Sequence, residues 1–449
     1  RVVARTQTHK ASTFPSRDWL ASRWLLLAII AAGFVLRGRA YLSNRSLWTD
    51  EAALAVNFYR TLPDLLFSPL AHNQSAPPGF LFVEWTLVHS LGDSELILRL
   101  FPFLCSLSIL ILVPVLARQV MRPQAVAFAT LWVAISTRML YYAAELKQYS
   151  TDVVVVLLLY WLVLRWRRAT ISPKATSILA LCGCLAILFS NPGALVLAGL
   201  GTALVLEALS KSDWRRLGHI IACAFCWLLL CYIYYRFFIE PSSLGEDSYL
   251  IQYWDRRKAF MPLPPSHWQE PFVWFWNRIK SILDDPIGIE SLVLGIPACI
   301  LGVFAMAWNK KGALAYLISP VPFLLIASAL RIYPIAGRLM LFAVPLFAMT
   351  TAHALCMVGH LHPRLIGNGV AIALATVLLW PPLSIAAEQF IAPRTKEELR
   401  PVLEYVERHR LSNDTIYIYY GALHPLEYYG PRFGYHNGDF IAGAKSRED

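Results

Sequence analysis

Charge is scarce in this chain. Of its 449 residues 15% are charged and 57% hydrophobic, with a mean hydropathy of +0.49. A soluble domain of this length carries more charge and shorter apolar runs, so the composition excludes the soluble globular class. Soluble-enzyme signatures are missing as well: there is no Gly-rich phosphate loop, no GxSxG elbow and no HExxH. The histidines are scattered, which argues against a dedicated zinc site. Cysteine is absent outside the apolar runs. Cys182-x-Cys184 and Cys223-x-x-Cys226 lack His or acid partners, so all eight cysteines read as small buried hydrophobes rather than ligands or disulfides. No signal-peptide cleavage pattern is present, and Arg1, Arg5, Lys10, Arg17 and Arg23 ahead of the first apolar run suit an uncleaved signal anchor. Net charge is +11, but the basic residues form short clusters between apolar runs. That pattern is a topology signal and excludes a nucleic-acid surface.

What is present is a series of long apolar segments. They predict an all-α polytopic membrane protein with about eleven spans, each near the ~20 residues a bilayer requires. The expected spans are 19–36, 99–117, 125–142, 153–164, two flanking Asn191-Pro192-Gly193, then 217–238, 291–308, 314–330, 339–357 and 366–387. Basic clusters at nearly every second turn place the N-terminus in the cytoplasm and the C-terminus outside. The domain reading is a cytoplasmic tail over 1–18, a membrane domain over 19–387 with external loops 37–98 and 239–289, and a small external α/β unit over 388–449. Segment 79–91 is too short to span comfortably and is expected to lie in the interface. In the last unit, 395–409 has helical spacing, 414–420 alternates like a strand and 443–449 is expected to fray.

Two adjacent acids, Asp50 and Glu51 in SLWTDEA, follow the first span. Charges there are costly unless solvated, paired or used. Several cations break the positive-inside rule on the same side: Arg37, Arg39, Arg45, Lys147, Arg331 and Arg338. An anionic ligand is the natural reason for them. Asp50, Glu51, His72, Asn73, Glu145, Lys147, Tyr149, Asp152, Arg331, Tyr333 and Arg338 form an outward polar set drawn from four segments. A carboxylate base beside phosphate-binding cations is a workable transferase site. Each member also has a plainer reading: an interfacial loop for the acids, a solvated pair for Glu145 and Lys147, headgroup snorkelling for the arginines, turn chemistry for His72-Asn73, a helix cap for Asp152. Asp50 and Glu51 could share a divalent cation, Mg or Mn, although nothing in the spacing requires one. Aromatics of loop 239–289 could stack on a sugar as a lid or form an interfacial belt.

The order of motifs resembles the bacterial branch of the GT-C glycosyltransferases, which include the protein O-mannosyltransferases and the lipid A aminoarabinose transferase. The resemblance rests on WTDE after one span, the HNQSAPPG segment, LRLFPFLCSL opening the second span, YYAAELKQYSTDV at 141–153 and YPIAGRLMLFAVPLF at 333–347. It covers about residues 19–355 in topology; the tail lies outside it. The resemblance implies a glycosyltransferase acting outside the membrane on a polyprenyl-phosphate-linked sugar, inverting at the sugar, with a glycan, lipid or protein acceptor. It implies Asp50 as catalytic base, Glu51 as its supporting acid, Lys147 and Arg338, with Arg331 nearby, at the donor phosphate, and Glu145 orienting Lys147 or the acceptor. HNQSAPPG departs from relatives with a His directly before the Pro pair, which leaves the role of His72 open. A transporter or flippase is the competing class, but it would show repeated halves and charges at mid-depth. A non-catalytic assembly subunit is a third reading.

Overall fold

The computed structural model describes residues 17–239, 249–289, 292–361, 363–411, 413–436 and 438–443. The expectations for residues 1–16 and for fraying at 444–449 lie outside these. Among the described residues, seven helices are long and apolar enough to cross a membrane. An eighth span exists if Pro123–Ile135 and Thr137–Ala144, bent by 53° at their junction, are one element. Three shorter apolar helices, Pro173–Phe189, Val293–Asn309 and Ala343–Val358, fall below that length. The chain is thus a multi-pass helical membrane protein; among the described residues seven or eight helices have full spanning length, and the three shorter ones complete the eleven apolar segments expected.

Some boundaries shift for local reasons. Helix Tyr149–Arg168 is longer than the apolar run inside it, because its first turn, with Ser150, Thr151 and Asp152, is buried against neighbouring helices. Lys311–Ala329 passes as one span but is interrupted at Ser319-Pro320. There helix Asn191–Ser210 approaches closely: a Cβ on Gly199 would sit 2.5 Å from Pro320 Cα, so only glycine admits this crossing. Segment 79–91 forms the helix Pro78–Leu91 and packs against Pro173–Phe189. The eight cysteines are all free, within or beside the apolar packing.

The bend after Ile135 explains the first of the wrong-side arginines. A broken helix leaves carbonyls without their own amide donors, and a bilayer offers no water to replace them. Arg37, wholly buried, donates to Ala134 O at 3.1 Å and Val133 O at 3.0 Å. Arg45 donates to Ala144 O at 2.8 Å, and Arg39 reaches Ile391 O at 3.4 Å. These three cations are absorbed by backbone carbonyls, which corrects the expectation of an anionic ligand for them.

A second hydrophobic core lies off the membrane bundle. It joins Leu47, Leu54, Phe58, Phe80 and Leu146 to Leu403, Ile418, Leu426, Tyr428 and Tyr429. The C-terminal segment therefore packs on the first long loop. It comprises the helix Leu399–His409, a two-stranded parallel sheet and the helix Leu423–Tyr429. Ile416–Ile418 pairs with Phe440–Ala442 in register Ile416 to Phe440. The strand is shorter than the alternating run because Tyr420 already opens a 3-10 turn.

Candidate functional site

Ser46 to Ala55 is fixed from three directions before it presents anything to a ligand. Trp48 donates its indole N–H to Glu145 Oε1 at 2.5 Å, and Lys396 Nζ stands 3.4 Å over the Trp48 ring. Glu398 accepts from Ser46 N and Oγ, and Glu397 accepts from Thr49 N and Oγ1. Leu47 N donates to the Tyr429 hydroxyl at 2.8 Å. The short helix Thr49–Ala55 follows, with Asp50 and Glu51 in its first turn, where the helix dipole favours negative charge.

Consecutive helical residues point about 100° apart, since a turn takes about 3.6 residues, and this separates the two acids. Glu51 turns inward and is fully buried. It accepts from Arg99 Nε at 2.8 Å, Arg99 Nη2 at 2.6 Å and Leu146 N at 2.7 Å. Burial would raise its pKa, but Arg99 outweighs burial and holds it below the usual glutamate range. Asp50 turns toward a cavity of about 560 Å³. Its Oδ2 accepts from Arg338 Nη1 at 2.7 Å. Burial pushes the Asp50 carboxyl up, yet Lys147 and Arg338 together hold it below the ordinary range.

The same cavity is lined by Lys147, Tyr149, Tyr333, Arg331, Arg338, His72 and Asn73. Eight of the expected site residues therefore converge, counting Asp50. Lys147 Nζ donates to Gln74 Oε1 at 2.7 Å. Burial lowers the Lys147 ammonium to about 8, against the pull of Asp50. Arg338 also faces the Tyr149 ring, with its guanidinium carbon 5.6 Å from the centroid. Burial would lower the Arg338 pKa, but Tyr149 and Asp50 raise it, so the guanidinium stays charged. Arg331 sits at the rim, exposed, 3.7 Å from Asp255. That acid belongs to helix Tyr249–Arg256, which brings Tyr249, Tyr253 and Trp254 to the cavity wall.

Glu51 and Glu145 stand behind the cavity rather than in it. Besides Trp48, Glu145 accepts from the Tyr141 hydroxyl at 3.2 Å and lies 3.9 Å from Lys396. Burial, then the nearby Glu51 charge, raise its pKa. This places Glu145 as a support for Trp48, where the sequence suggests an orienter of Lys147 or the acceptor. Asp152, also expected in the outward polar set, is buried at the start of its helix. A divalent cation shared by Asp50 and Glu51 does not fit these donors. Both Glu51 oxygens are taken by Arg99 and Leu146, and Asp50 is turned to Arg338.

Sequence reasoning passes over Arg99, Gln74 and Lys396. Arg99 has a readable signal, a lone cation opening an apolar span on the side where basic residues are not expected. Gln74 and Lys396 have none, since either is an ordinary loop residue until the chain is folded.

No protein-family model matches the sequence, and no curated protein matches it significantly. Solved structures match in fold. The Archaeoglobus fulgidus oligosaccharyltransferase in the apo form superposes with a TM-score of 0.58 at 14% identity, over 96% of this chain and 65% of its own. ArnT from Cupriavidus metallidurans in the apo state gives 0.57 at 15% identity, over 96% and 87%. ArnT bound to undecaprenyl phosphate gives 0.52 at 14% identity, over 97% and 87%. The chain thus spans less than two thirds of the archaeal protein and most of ArnT. At such identities the likeness is one of fold alone.

Proposed function

We propose that this chain is an integral-membrane glycosyltransferase. It moves a hexosyl or pentosyl group from a polyprenyl-phosphate donor to a hydroxyl or amine of a glycan, lipid or protein acceptor, outside a bacterial plasma membrane. The observation that carries this is the Asp50–Arg338 ion pair beside Lys147 in one cavity. It sets a carboxylate and two cations where a lipid-borne phosphate and an acceptor can meet. The ArnT structure that holds undecaprenyl phosphate supports a lipid phosphate as ligand.

The geometry also suggests how the base is released. While Arg338 holds Asp50, the carboxylate is a poor proton acceptor. A phosphate competes for the guanidinium, which binds phosphate oxygens through paired N–H bonds. Asp50 then loses its cation, gains a neighbouring negative charge and becomes more basic. The acceptor O–H or N–H proton passes to Asp50 as the acceptor atom bonds to the sugar C1. The C1–O bond to phosphate breaks with inversion, and Arg338 and Lys147 neutralise the departing polyprenyl phosphate. Tyr333, Tyr149, His72, Asn73 and Arg331 surround the sugar and acceptor. Glu51 and Glu145 position the Asp50 helix without touching substrate.

Binding of polyprenyl phosphate to the purified chain tests this reading. Removing a charged hydrogen bond costs about 1.5–3 kcal/mol, so Arg338→Ala and Lys147→Ala are each expected to weaken affinity by ~10- to 150-fold. Unchanged affinity in both removes the phosphate site. The pH dependence has a definite sign. Lys147 binds phosphate only when charged, and its free-state pKa is about 8. Affinity is therefore expected to be flat between the second ionisation of the phosphate, at pH ~6, and that pH, and to fall by up to about tenfold per unit above it. Lys147→Arg abolishes the slope, since guanidinium stays charged throughout. A steady affinity in the unsubstituted chain up to about pH 10 would contradict the assignment.

A further inference from the structure

At the wall of the same cavity three metal-ligating side chains meet that take no part in the proton transfer or in holding the phosphate. His72 comes from the loop after helix Leu62–Phe67, while His424 and Glu427 come from the C-terminal helix Leu423–Tyr429. Spacing of three on a helix puts the latter two on one face. Their candidate ligand atoms lie within 4.8 Å of one another. The His72 and His424 rings approach to 4.0 Å between centroids, and His72 Nε2 is 2.7 Å from Glu427 Oε2.

Two further features separate this cluster from an ordinary polar contact. First, His72 Nε2 is buried and makes no hydrogen bond, even with Glu427 so close. Its one close polar neighbour is the Glu427 carboxylate, and a metal ion would bind both atoms. Second, His72 and Asn73 both take left-handed backbone, with φ of 58° and 53°. Residues other than glycine hold that conformation at a cost, and such outliers concentrate at ligand sites. From this backbone the His72 ring packs against His424 of the C-terminal helix.

We propose that His72, His424 and Glu427 bind one divalent zinc-class ion, which clamps the C-terminal helix onto the loop beside the cavity and keeps an open coordination position. Two imidazoles and a carboxylate suit zinc better than Mg or Mn, which favour all-oxygen ligands. Three protein ligands leave the fourth tetrahedral position for water or a ligand oxygen. Both histidines line the cavity, so that position faces it. The clamp stands independently of sugar transfer. It would hold even if the chain proved to have another activity.

The test uses the full chain in detergent, stripped with chelator and titrated with zinc sulfate. One zinc per chain is expected, and X-ray absorption should show two imidazole nitrogens and carboxylate oxygen. His424→Ala and Glu427→Gln should each weaken zinc binding by about 100-fold or more, beyond the 10- to 100-fold typical for losing only a supporting partner. His424→Cys replaces one zinc ligand by another and should restore binding, which separates ligand loss from misfolding. His409→Ala, on the neighbouring C-terminal helix, should leave it unchanged. Zinc bound equally by the His72→Ala/His424→Ala variant, or absence of a stoichiometric site in the unsubstituted chain, overturns the proposal.

Discussion

Asp50→Asn is expected to abolish sugar transfer while leaving the chain folded. The substitution keeps the shape of the side chain and removes its ability to take a proton. Removing a general base costs ~10²- to 10⁴-fold in rate. The fold should tolerate the change. Asp50 and Arg338 are both partly open to the cavity, with 27% and 22% of their side chains exposed. Solvent there screens the pair, so stability should move by no more than about 1 kcal/mol. Arg338 also retains the Tyr149 ring as a partner. Transfer from a defined lipid-linked donor, measured beside a thermal melt, distinguishes the outcomes. Near-normal turnover would remove Asp50 as base. Loss of both turnover and melting temperature would make it a structural residue instead.

The second large effect belongs to a pair that never meets substrate. Arg99→Leu should destabilise the chain by about 3–5 kcal/mol, because it strands the fully buried charge of Glu51. It also releases the Arg45 and Ser46 carbonyls, which Arg99 binds at 2.7 and 3.1 Å. The helix carrying Asp50 then loses its anchor to the second span, so turnover should fall with stability. Replacing both members, in Glu51→Leu/Arg99→Leu, should recover much of the stability, since a matched apolar pair leaves no orphaned charge. Equal melting of Arg99→Leu and the parent chain would refute the anchor. The sign with pH follows from the depressed Glu51 pKa. Its contribution is present above the ordinary glutamate value of about 4.3 and is lost as pH falls through the lower folded value. Denatured fraction in the parent chain should therefore rise on acidification, with Glu51→Leu/Arg99→Leu showing a shallower response.

The C-terminal segment illustrates where reading the chain as a line falls short. Its helical spacing and its alternating DTIYIYY run are visible as local patterns. Its destination is not, because the contacts that place it join residues more than three hundred positions apart. Glu397 and Glu398 bind Thr49 and Ser46, Tyr429 binds Leu47 and Glu95, and Arg400 pairs with Glu95 at 2.6 Å. A segment that looks separate thus helps hold the loop that carries Asp50. The wrong-side arginines show the same division. Topology groups them on one expected side, but Arg37 serves carbonyls freed by a helix bend while Arg338 reaches the cavity.

By itself, the sequence determined that this is a helical membrane protein, since long apolar runs have few other homes. It also determined that Asp50, Lys147 and Arg338 belong to one polar set, because charges beside a bilayer are too costly to be idle. Only the tertiary structure decided between the two neighbouring acids. A single step along a helix swings Glu51 into the buried grip of Arg99 and leaves Asp50 facing Arg338 and the cavity. The physical reason is that charge and hydropathy are properties of residues, while partnership depends on which distant side chains the fold brings within hydrogen-bonding reach.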